Sequence, residues 1–326
     1  MSACGTALSL CGFVVVCRAA LPSPLALMSW RGGEPEGYTV YRDLPYAATD
    51  NPRQTLDLAV PKKIPGETHP VLVFIHGGGW QRGSKDRGLS WMSRYLDGRL
   101  AAVSIGYRLS GEAQWPAQLY DCKAAIRWIR AHAAEYNLDP DRIAVSGASA
   151  GGHLASMVGL TQGMAALEGN VGPDTNESSR VTCVINFFGP SELLTLGKTP
   201  AMDHDAPDAP EAKLFGGPMQ EKRELARAAS PLTYVRPGAP PFLIVHGDRD
   251  RLIPFRQSVQ LDERLGEAGV PSRLVKMIGG HHGFQNRKLD ERLRLFIQKY
   301  LYGEDVSEVS EEPIDLTVER WRWFGL

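Results

Sequence analysis

The sequence predicts an α/β fold built on a mainly parallel, doubly wound sheet. Continuous apolar runs rich in β-branched residues indicate strands that are buried on both faces, as in a parallel sheet covered by helices. Amphipathic stretches with helical spacing separate several of these runs, which is typical of right-handed crossovers between parallel strands. The apolar runs are residues 71–75, 100–107, 142–147, 181–189, 241–247 and 272–280.

Two further strands precede the apolar runs. Residues 38–46 and 54–61 alternate apolar and polar side chains, which predicts half-buried antiparallel strands at one edge of the sheet. Helices are predicted at residues 116–136, 151–160, 256–269 and 289–301. Residues 161–180 and 190–230 are rich in Gly, Pro and Asp, and we interpret them as loops or a small lid inserted over one edge.

Length and charge narrow the classes of protein that need to be considered. The chain has 326 residues, 43% of them hydrophobic, and we expect a single catalytic domain over residues 38–303. Lys and Arg number 36 against 37 Asp and Glu, for a net charge of −1. This balance gives no reason to expect nucleic acid or an anionic membrane surface as a partner. The oligomeric state stays open.

The N-terminal segment has two interpretations. Residues 8–17 form an apolar run that is too short to span a bilayer but suits the core of a signal peptide. Residues 1–30 are therefore either a signal peptide or an over-extended start, with Met28 as the true first residue. The location stays open between secretion or the periplasm, on one side, and the cytoplasm, on the other.

The remaining cysteines and the C-terminal tail have structural interpretations. Three of the five cysteines lie in the N-terminal segment, and we expect Cys122 and Cys183 to be buried thiols rather than part of a disulfide framework. The tail, residues 304–326, is acidic and then aromatic. We expect it to pack on the body of the protein through one or more of Trp321, Trp323 and Phe324.

The sequence "GASAG", residues 147–151, lies where a predicted buried strand meets a predicted helix. A sharp strand-to-helix turn strains its central residue and makes the side chain project from the sheet, and small flanking residues let the turn close. This context favours Ser149 as a nucleophile over a solvated serine in a glycine-rich turn. A serine hydroxyl needs a base and a group that orients the base, each placed after a later strand.

Two later motifs supply the acid and the base. "HGDRDRLIP" follows a strand and offers Asp248 and Asp250, of which Asp250 lies further into the loop and is favoured. "GGHHGF" follows the next strand and offers His281 and His282. Adjacent side chains diverge, so only one can face the serine, and His282 is favoured because it lies deeper in the loop.

The motif "HGGGW" follows an early apolar strand, where three glycines suggest close approach of a ligand to the backbone. Backbone N–H groups at such a loop can stabilise the negative charge that develops when a serine attacks an acyl carbonyl. Gly78 and Gly79 are the expected donors, together with the amide of Ala150. We expect His76 to brace the loop and Trp80 to form a wall of the acyl pocket.

Other histidines are expected to have structural roles. His153 could face the site but is expected to pack within its helix, and His246 is expected to make a local hydrogen bond at the end of its strand. His204, in "MDHDAPD", suggests a metal ligand, but a solvated position in the lid loop is favoured. We expect neither a metal nor a cofactor.

Together these motifs resemble the α/β-hydrolase superfamily, and within it the esterases and lipases that carry an HGGG loop. "HGGGWQRGSK" and "GASAGG" look closest to bacterial carboxylesterases of the feruloyl and acetyl-xylan esterase type. The resemblance implies a catalytic triad and an oxyanion hole. The triad would be Ser149, Asp250 and His282, and the oxyanion hole Gly78, Gly79 and Ala150. Hormone-sensitive-lipase relatives usually have an acidic residue where this chain has Ala148, which argues against a lipid-like acyl preference.

The resulting hypothesis is a cofactor-free serine carboxylesterase that acts through an acyl-enzyme. Its substrate would be a small-molecule or oligosaccharide ester, with a short-chain, acetyl or aryl acyl group, including feruloyl or acetyl-xylan esters. An aryl formamidase or a small serine peptidase on the same fold is an alternative, and so is an inactive hydrolase fold used for binding. Residues 161–180 and 190–230 would set the specificity.

Overall fold

The computed structural model describes residue 1, residues 36–62 and residues 66–318. In this part of the chain, nine strands form one sheet in the order β1-β2-β4-β3-β5-β6-β7-β8-β9. Strand β2 is antiparallel to both β1 and β4, and every other neighbouring pair is parallel. The strands are β1 (Tyr38–Pro45), β2 (Thr55–Pro61), β3 (His69–Ile75), β4 (Ala101–Ile105), β5 (Leu138–Ala148), β6 (Cys183–Phe187), β7 (Phe242–Gly247), β8 (Ser272–Ile278) and β9 (Ile314–Asp315).

Helices cover both faces of this sheet. Those in the described part of the chain are α1 (Gly88–Met92), α2 (Ala117–Ala131), α3 (Ala133–Tyr136), α4 (Ala150–Leu160), α5 (Pro210–Phe215), α6 (Arg223–Ala228), α7 (Arg256–Glu267) and α8 (Arg287–Tyr300). Apolar side chains of α2, α4 and α7 pack in one core cluster, and those of α1 and α8 pack in a second. The predicted α/β class with a mainly parallel, doubly wound sheet is confirmed.

Alternate residues of one strand reach opposite core clusters. In β3, Val71, Val73 and Ile75 belong to the cluster with α2 and α4. Leu72 and Phe74 belong to the cluster with α1 and α8. Because both faces are buried, a continuous apolar run is needed, which is why the sequence signal for the central strands is strong.

The prediction of a half-buried edge strand is wrong for β2. Every residue of β2 is buried, because this strand lies between β1 and β4 rather than at the edge. The polar residue that produced the alternation is Asp57, whose carboxylate pairs with Lys85 at 2.6 Å and with Arg42 at 3.0 Å. A charge that is paired inside the protein gives the same sequence pattern as a charge that faces water.

The two segments predicted as loops or a lid differ in structure. Residues 161–180 contain one 3₁₀ turn, Ala165–Leu167, among the elements assigned to them. Residues 190–230 contain α5 and α6, with Leu214 and Phe215 buried in the main core. Apolar packing therefore anchors this second segment to the main core of the protein.

The ends of the chain are described only in part. The predictions for residues 1–30 lie outside the described residues, apart from residue 1, and so do Trp321, Trp323 and Phe324. Within the described tail, β9 pairs in parallel with β8, and Ile314 is buried. Among the described helices, none combines the length and the apolarity that crossing a membrane requires.

The two described cysteines are buried and free, as predicted. Burial raises the thiol pKa of both Cys122 and Cys183, so both thiols stay protonated at neutral pH. They therefore act as small apolar side chains of the core.

Candidate active site

The turn between β5 and α4 sets the position of Ser149. Its φ of +57° lies in the left-handed region, which residues other than glycine rarely adopt. The Ser149 N–H donates to the Phe187 carbonyl in β6 at 2.9 Å, which fixes the turn to the sheet. A Cβ at Gly151 would overlap the Ile75 carbonyl, so α4 begins this close to β3 only because Gly151 has no side chain. Ser149 is half-buried, whereas Ala150 is buried.

The loops after β7 and β8 bring Asp250 and His282 together. His282 Nδ1 lies 2.6 Å from Asp250 Oδ2, and the Asp250 side chain is fully buried while 22% of the His282 side chain is exposed. Asp250 Oδ1 accepts the N–H groups of Leu252 and Ile253 at 2.8 and 3.0 Å. Burial alone would raise the pKa of Asp250, but hydrogen bonds from His246 and His282 outweigh it and hold the pKa well below its ordinary value.

The other aspartate and the other histidine of these two motifs have different partners. Asp248 Oδ1 accepts the N–H of Gly279 at 2.7 Å. His281 is exposed, and its Nδ1 donates to the Arg249 carbonyl at 3.0 Å. These two side chains hold the loops together and do not form the carboxylate–imidazole pair.

The last residue of β6 and the residue after it contact Ser149 and His282, respectively. Phe187 accepts the Ser149 N–H through its carbonyl, and the ring of Phe188 lies 4.6 Å from the His282 ring, between centroids. The Phe188 N–H donates to the Val245 carbonyl at 2.8 Å, which joins this segment to β7. The carboxyl ends of neighbouring parallel strands therefore present the serine and the imidazole at the same edge of the sheet.

The glycine loop after β3 lies against the serine turn. A Cβ at Gly77 would lie 3.3 Å from the Ser149 Cβ, so the two segments are in contact. Gly78 and Gly79 have φ values of +115° and +58°, which favour glycine. Both line one cavity with Ser149 and Ala150. The backbone amides expected to bind an oxyanion thus belong to residues that share a cavity with the serine.

His76, at the start of this loop, is buried beneath it. Its Nδ1 donates to the Gly77 carbonyl at 2.8 Å, and its ring stacks on Tyr107 with 4.2 Å between ring centroids. The Tyr107 hydroxyl donates to the His76 carbonyl at 3.0 Å. Burial lowers the pKa of His76 to about 4, so the ring is neutral at pH 7. These contacts suit the expected role of a brace.

Trp80 lines the cavity and is held from behind by His153. The indole Nε1 donates to His153 Nδ1 at 3.2 Å, and His153 Nε2 donates to the Ala229 carbonyl at 2.6 Å. This pattern requires a neutral imidazole, and burial lowers the pKa of His153 to about 4. His153 therefore has the packing role that the sequence favoured.

Comparison with known protein families identifies the family of this chain. The profile of the BD-FAE family matches residues 56–265. The chain belongs to the BD-FAE family. Among curated proteins, this BD-FAE member is 34% identical to esterase LipC of Mycobacterium tuberculosis, in an alignment that covers 72% of this chain and 58% of LipC. The chain spans about half the length of the curated relatives it matches.

Solved structures of esterases share the fold of this BD-FAE member. A truncated carbohydrate esterase from gut microbiota superposes with a TM-score of 0.76 and 30% identity, covering 83% of this chain and 99% of that one. Esterase 2 of Thermogutta terrifontis phosphorylated by paraoxon superposes with a TM-score of 0.60 and 28% identity, covering 81% and 94%. The predicted α/β-hydrolase fold is confirmed, and proteins named as esterases are among both the curated relatives and the solved structures that this chain resembles.

The predicted local hydrogen bond of His246 is confirmed, but sequence reasoning did not identify Asp250 as its partner. His246 is fully buried, and its Nε2 lies 3.2 Å from Asp250 Oδ2 and 3.1 Å from the Ile253 carbonyl. Because Nε2 faces two acceptors, it carries a proton and donates, while Nδ1 lies 2.7 Å from the Ser258 hydroxyl. The signal available in the sequence was that both residues belong to one short motif, residues 246–254, at the end of β7.

The expectation that His204 is solvated is wrong. His204 is 1% exposed, and its Nδ1 lies 2.9 Å from Oε1 of Glu211, a residue that sequence reasoning did not single out. Both residues line the cavity that contains Ser149. The polar sequence around His204 suggested exposure, but α5 turns Glu211 towards it and pairs the two side chains inside the protein.

Proposed function

We propose that this protein is a carboxylic ester hydrolase in which Ser149, His282 and Asp250 form a catalytic triad. The proposal depends on two observations together: the cavity shared by Ser149 and the glycine loop, and the His282–Asp250 pair formed by the loops after β7 and β8. The esterase names of the family relatives support the same reaction class.

In the proposed first half-reaction, His282 Nε2 takes the proton of the Ser149 hydroxyl as Oγ attacks the ester carbonyl carbon. Asp250 accepts the Nδ1–H of His282 and stabilises the imidazolium that forms. The carbonyl oxygen becomes an oxyanion and accepts hydrogen bonds from the backbone N–H groups of Gly78, Gly79 and Ala150. The imidazolium then gives its proton to the leaving alcohol, and the acyl group stays on Ser149 Oγ.

The second half-reaction repeats these steps with water. His282 takes a proton from water as the water oxygen attacks the acyl carbonyl, and the same amides bind the second oxyanion. The imidazolium returns the proton to Ser149 Oγ, so the serine is restored and the carboxylic acid leaves.

For the substrate we propose short-chain, acetyl or aryl esters, including esters of carbohydrates. Besides the glycine loop, α5 and the loop after β7 line the cavity, through Pro210 and Leu252. Residues 190–230, which carry α5, would therefore set the specificity. A relative whose structure is named a carbohydrate esterase supports the carbohydrate part of this proposal.

The first test is Ser149→Ala. Removing the nucleophile should lower kcat/KM for p-nitrophenyl acetate by about 10⁴-fold or more, since the residual rate comes from binding and the oxyanion amides alone. Ser307→Ala, at an exposed serine of the tail, serves as the matched control and should keep the unsubstituted rate. A fluorophosphonate probe should label the unsubstituted protein and the control but not Ser149→Ala. Undiminished turnover by Ser149→Ala would exclude the assignment.

A substrate panel tests the bond type separately. Hydrolysis of acetyl, butyryl and feruloyl esters should exceed hydrolysis of a matched aryl formamide and of a peptide anilide by at least about tenfold in kcat/KM. A higher rate on the formamide or the peptide would replace the ester proposal while retaining the Ser149 mechanism.

A further inference from the structure

The cavity beside Ser149 contains a carboxylate that is only half satisfied. Glu211 is 1% exposed and lines this cavity from the first turn of α5. Its Oε1 is bonded to His204, but Oε2 is buried and has no hydrogen-bond partner among the described residues. A buried carboxylate oxygen without a donor is unfavourable, so a donor on a bound ligand would lower the free energy of the complex.

The protonation of His204 determines what kind of donor fits. Its Nδ1 faces Glu211 Oε1 at 2.9 Å, and its Nε2 faces the Leu252 carbonyl at 3.0 Å. Both nitrogens face acceptors, so both carry protons, and the ring is an imidazolium paired with the carboxylate. Burial alone would lower the pKa of His204, but the bonds to Glu211 and Leu252 outweigh it and raise the pKa. The pair is neutral overall, so a neutral hydroxyl suffices as the donor.

The packing of α5 fixes this carboxylate relative to the reacting groups. Pro210, next to Glu211, packs on the glycine loop, where a Cβ at Gly79 would lie 3.1 Å from Pro210 Cβ. On the other side, His204 is tied to Leu252, two residues after Asp250. The acceptor is therefore anchored both to the proposed oxyanion loop and to the loop that carries the proposed acid.

The surroundings of Glu211 make it selective. Met202, Leu252 and Ile253 line the same cavity with apolar side chains. An alkyl group placed there would leave Glu211 Oε2 without a donor, whereas a hydroxyl group would pair with it. Sites that hydrogen-bond a substrate hydroxyl reject analogues without it far more strongly than apolar pockets reject a different alkyl group.

We propose that Glu211 Oε2 accepts a hydrogen bond from a free hydroxyl of the substrate, so that the protein selects esters with a hydroxyl group close to the scissile bond. This inference rests on the proposed ester hydrolysis at Ser149. Hydroxy esters of this kind include partial esters of sugars and polyols, with the hydroxyl in the alcohol half, and esters of hydroxy acids, with the hydroxyl in the acyl half.

Two pairs of nearly isosteric esters test the inference and locate the hydroxyl. 2-Hydroxyethyl acetate is compared with propyl acetate for the alcohol half, and methyl glycolate with methyl propanoate for the acyl half. Each kcat/KM is divided by the hydroxide-catalysed rate constant of the same ester, which removes the inductive effect of the hydroxyl. In at least one pair, the hydroxylated ester should be preferred by about 10-fold to 100-fold, the range of a hydrogen bond to a charged group.

Substitution of the carboxylate tests the assignment to Glu211. In Glu211→Gln a neutral amide replaces the carboxylate, and the preference should fall by at least about fivefold. Glu224→Gln is the matched control, because Glu224 lies in the same segment on α6 with 87% of its side chain exposed. This control should keep the full preference. If Glu211→Gln does not fold, the absence of a preference for the hydroxylated ester in the unsubstituted protein still overturns the inference.

The outcomes separate this inference from the proposed function. If the unsubstituted protein cleaves p-nitrophenyl acetate but prefers the hydroxylated ester in neither pair, the role of Glu211 is overturned and ester hydrolysis stands. A preference that Glu211→Gln retains in full overturns the role as well. Failure to cleave p-nitrophenyl acetate and all four test esters overturns the proposed function, and the inference with it.

Discussion

Asp250 is the residue on which most hydrogen bonds of the site converge. Its Oδ2 accepts hydrogen bonds from His282 at 2.6 Å and from His246 at 3.2 Å. Its Oδ1 accepts hydrogen bonds from the backbone N–H groups of Leu252 and Ile253. Four donors keep a fully buried carboxylate ionised and prevent it from rotating. His246 does not contact the reacting atoms in the proposed mechanism, so we infer that it is a positioning residue.

At this residue scale we predict that His246→Leu lowers kcat by about tenfold and leaves KM within about twofold. The substitution removes one donor from Asp250, and losing one hydrogen bond to a charged group has an effect of this order. Steady-state kinetics on p-nitrophenyl acetate measure the two parameters, and thermal unfolding shows that the variant is folded.

The conservative variant His246→Gln distinguishes positioning from packing. Its side-chain N–H group lies near the place of Nε2 and can still donate to Asp250, so kcat should recover most of the loss. A packing role would instead reduce stability in both variants without this recovery. Equal kcat values for the two variants, or an undiminished kcat for His246→Leu, would contradict the positioning role.

At the scale of an element, the loop after β3 depends on its backbone conformation. Gly78 has a φ of +115°, and a Cβ there would overlap the carbonyl of Arg82. We predict that Gly78→Ala lowers kcat/KM by about 10²-fold to 10³-fold, because the loop must shift and the proposed oxyanion donors move with it. Kinetics on p-nitrophenyl acetate measure the loss.

Gly98→Ala is the matched control for this loop. Gly98 also has a positive φ, +83°, but a Cβ added there would have no atom within 4 Å, and the residue precedes β4 at the opposite end of the parallel strands. The control should lose about 1 kcal/mol of stability through backbone strain and keep its activity. If the two variants lose activity equally, the effect of Gly78→Ala is a general loss of stability rather than a displaced donor.

At the scale of the whole molecule, the sequence predicted the elements whose signals are local. The predicted apolar runs lie within a few residues of β3 to β8, since burial on both faces leaves a continuous pattern. The interior position of β2 was not predictable in the same way. Asp57 looks like a solvent-facing residue until Lys85 is placed beside it, and that contact depends on the tertiary fold.

In the candidate site, too, residues in local motifs were predictable and contacts that depend on the tertiary fold were not. Ser149, Asp250 and His282 were predictable because each follows a strand in a short motif, although their catalytic roles remain proposals. The pairing of His204 with Glu211 was not predictable, because α5 lies in a segment whose composition suggested loops. Such contacts are set by how an insertion packs on the sheet, and no short motif records them.

The stability of the whole molecule should depend on pH through two of the buried histidines in the described part of the chain, His76 and His153, whose rings are neutral at pH 7. Burial lowers the pKa of each ring to about 4, whereas the unfolded chain binds the proton near the ordinary value of 6.5. Between these two pH values the unfolded state binds more protons than the folded state, so the free energy of unfolding falls as the pH falls. The stabilising contribution of the neutral rings is fully present above about pH 6.5 and is lost as the pH falls towards about 4. Each histidine should contribute about 2 kcal/mol to the loss between pH 7 and pH 5.

We therefore predict that His153→Gln loses less stability between pH 7 and pH 5 than the unsubstituted protein, by about 2 kcal/mol. The reason is that glutamine does not titrate, while protonation of His153 Nδ1 would break its bond from Trp80. Urea unfolding at both pH values measures the difference. Val158→Ala, at a buried position of the same helix, lowers stability without removing a titrating group, so its pH dependence should match that of the unsubstituted protein. If His153→Gln shows the same pH dependence as the unsubstituted protein, protonation of His153 does not cause the loss of stability at low pH. The loss must then come from other groups in the fold.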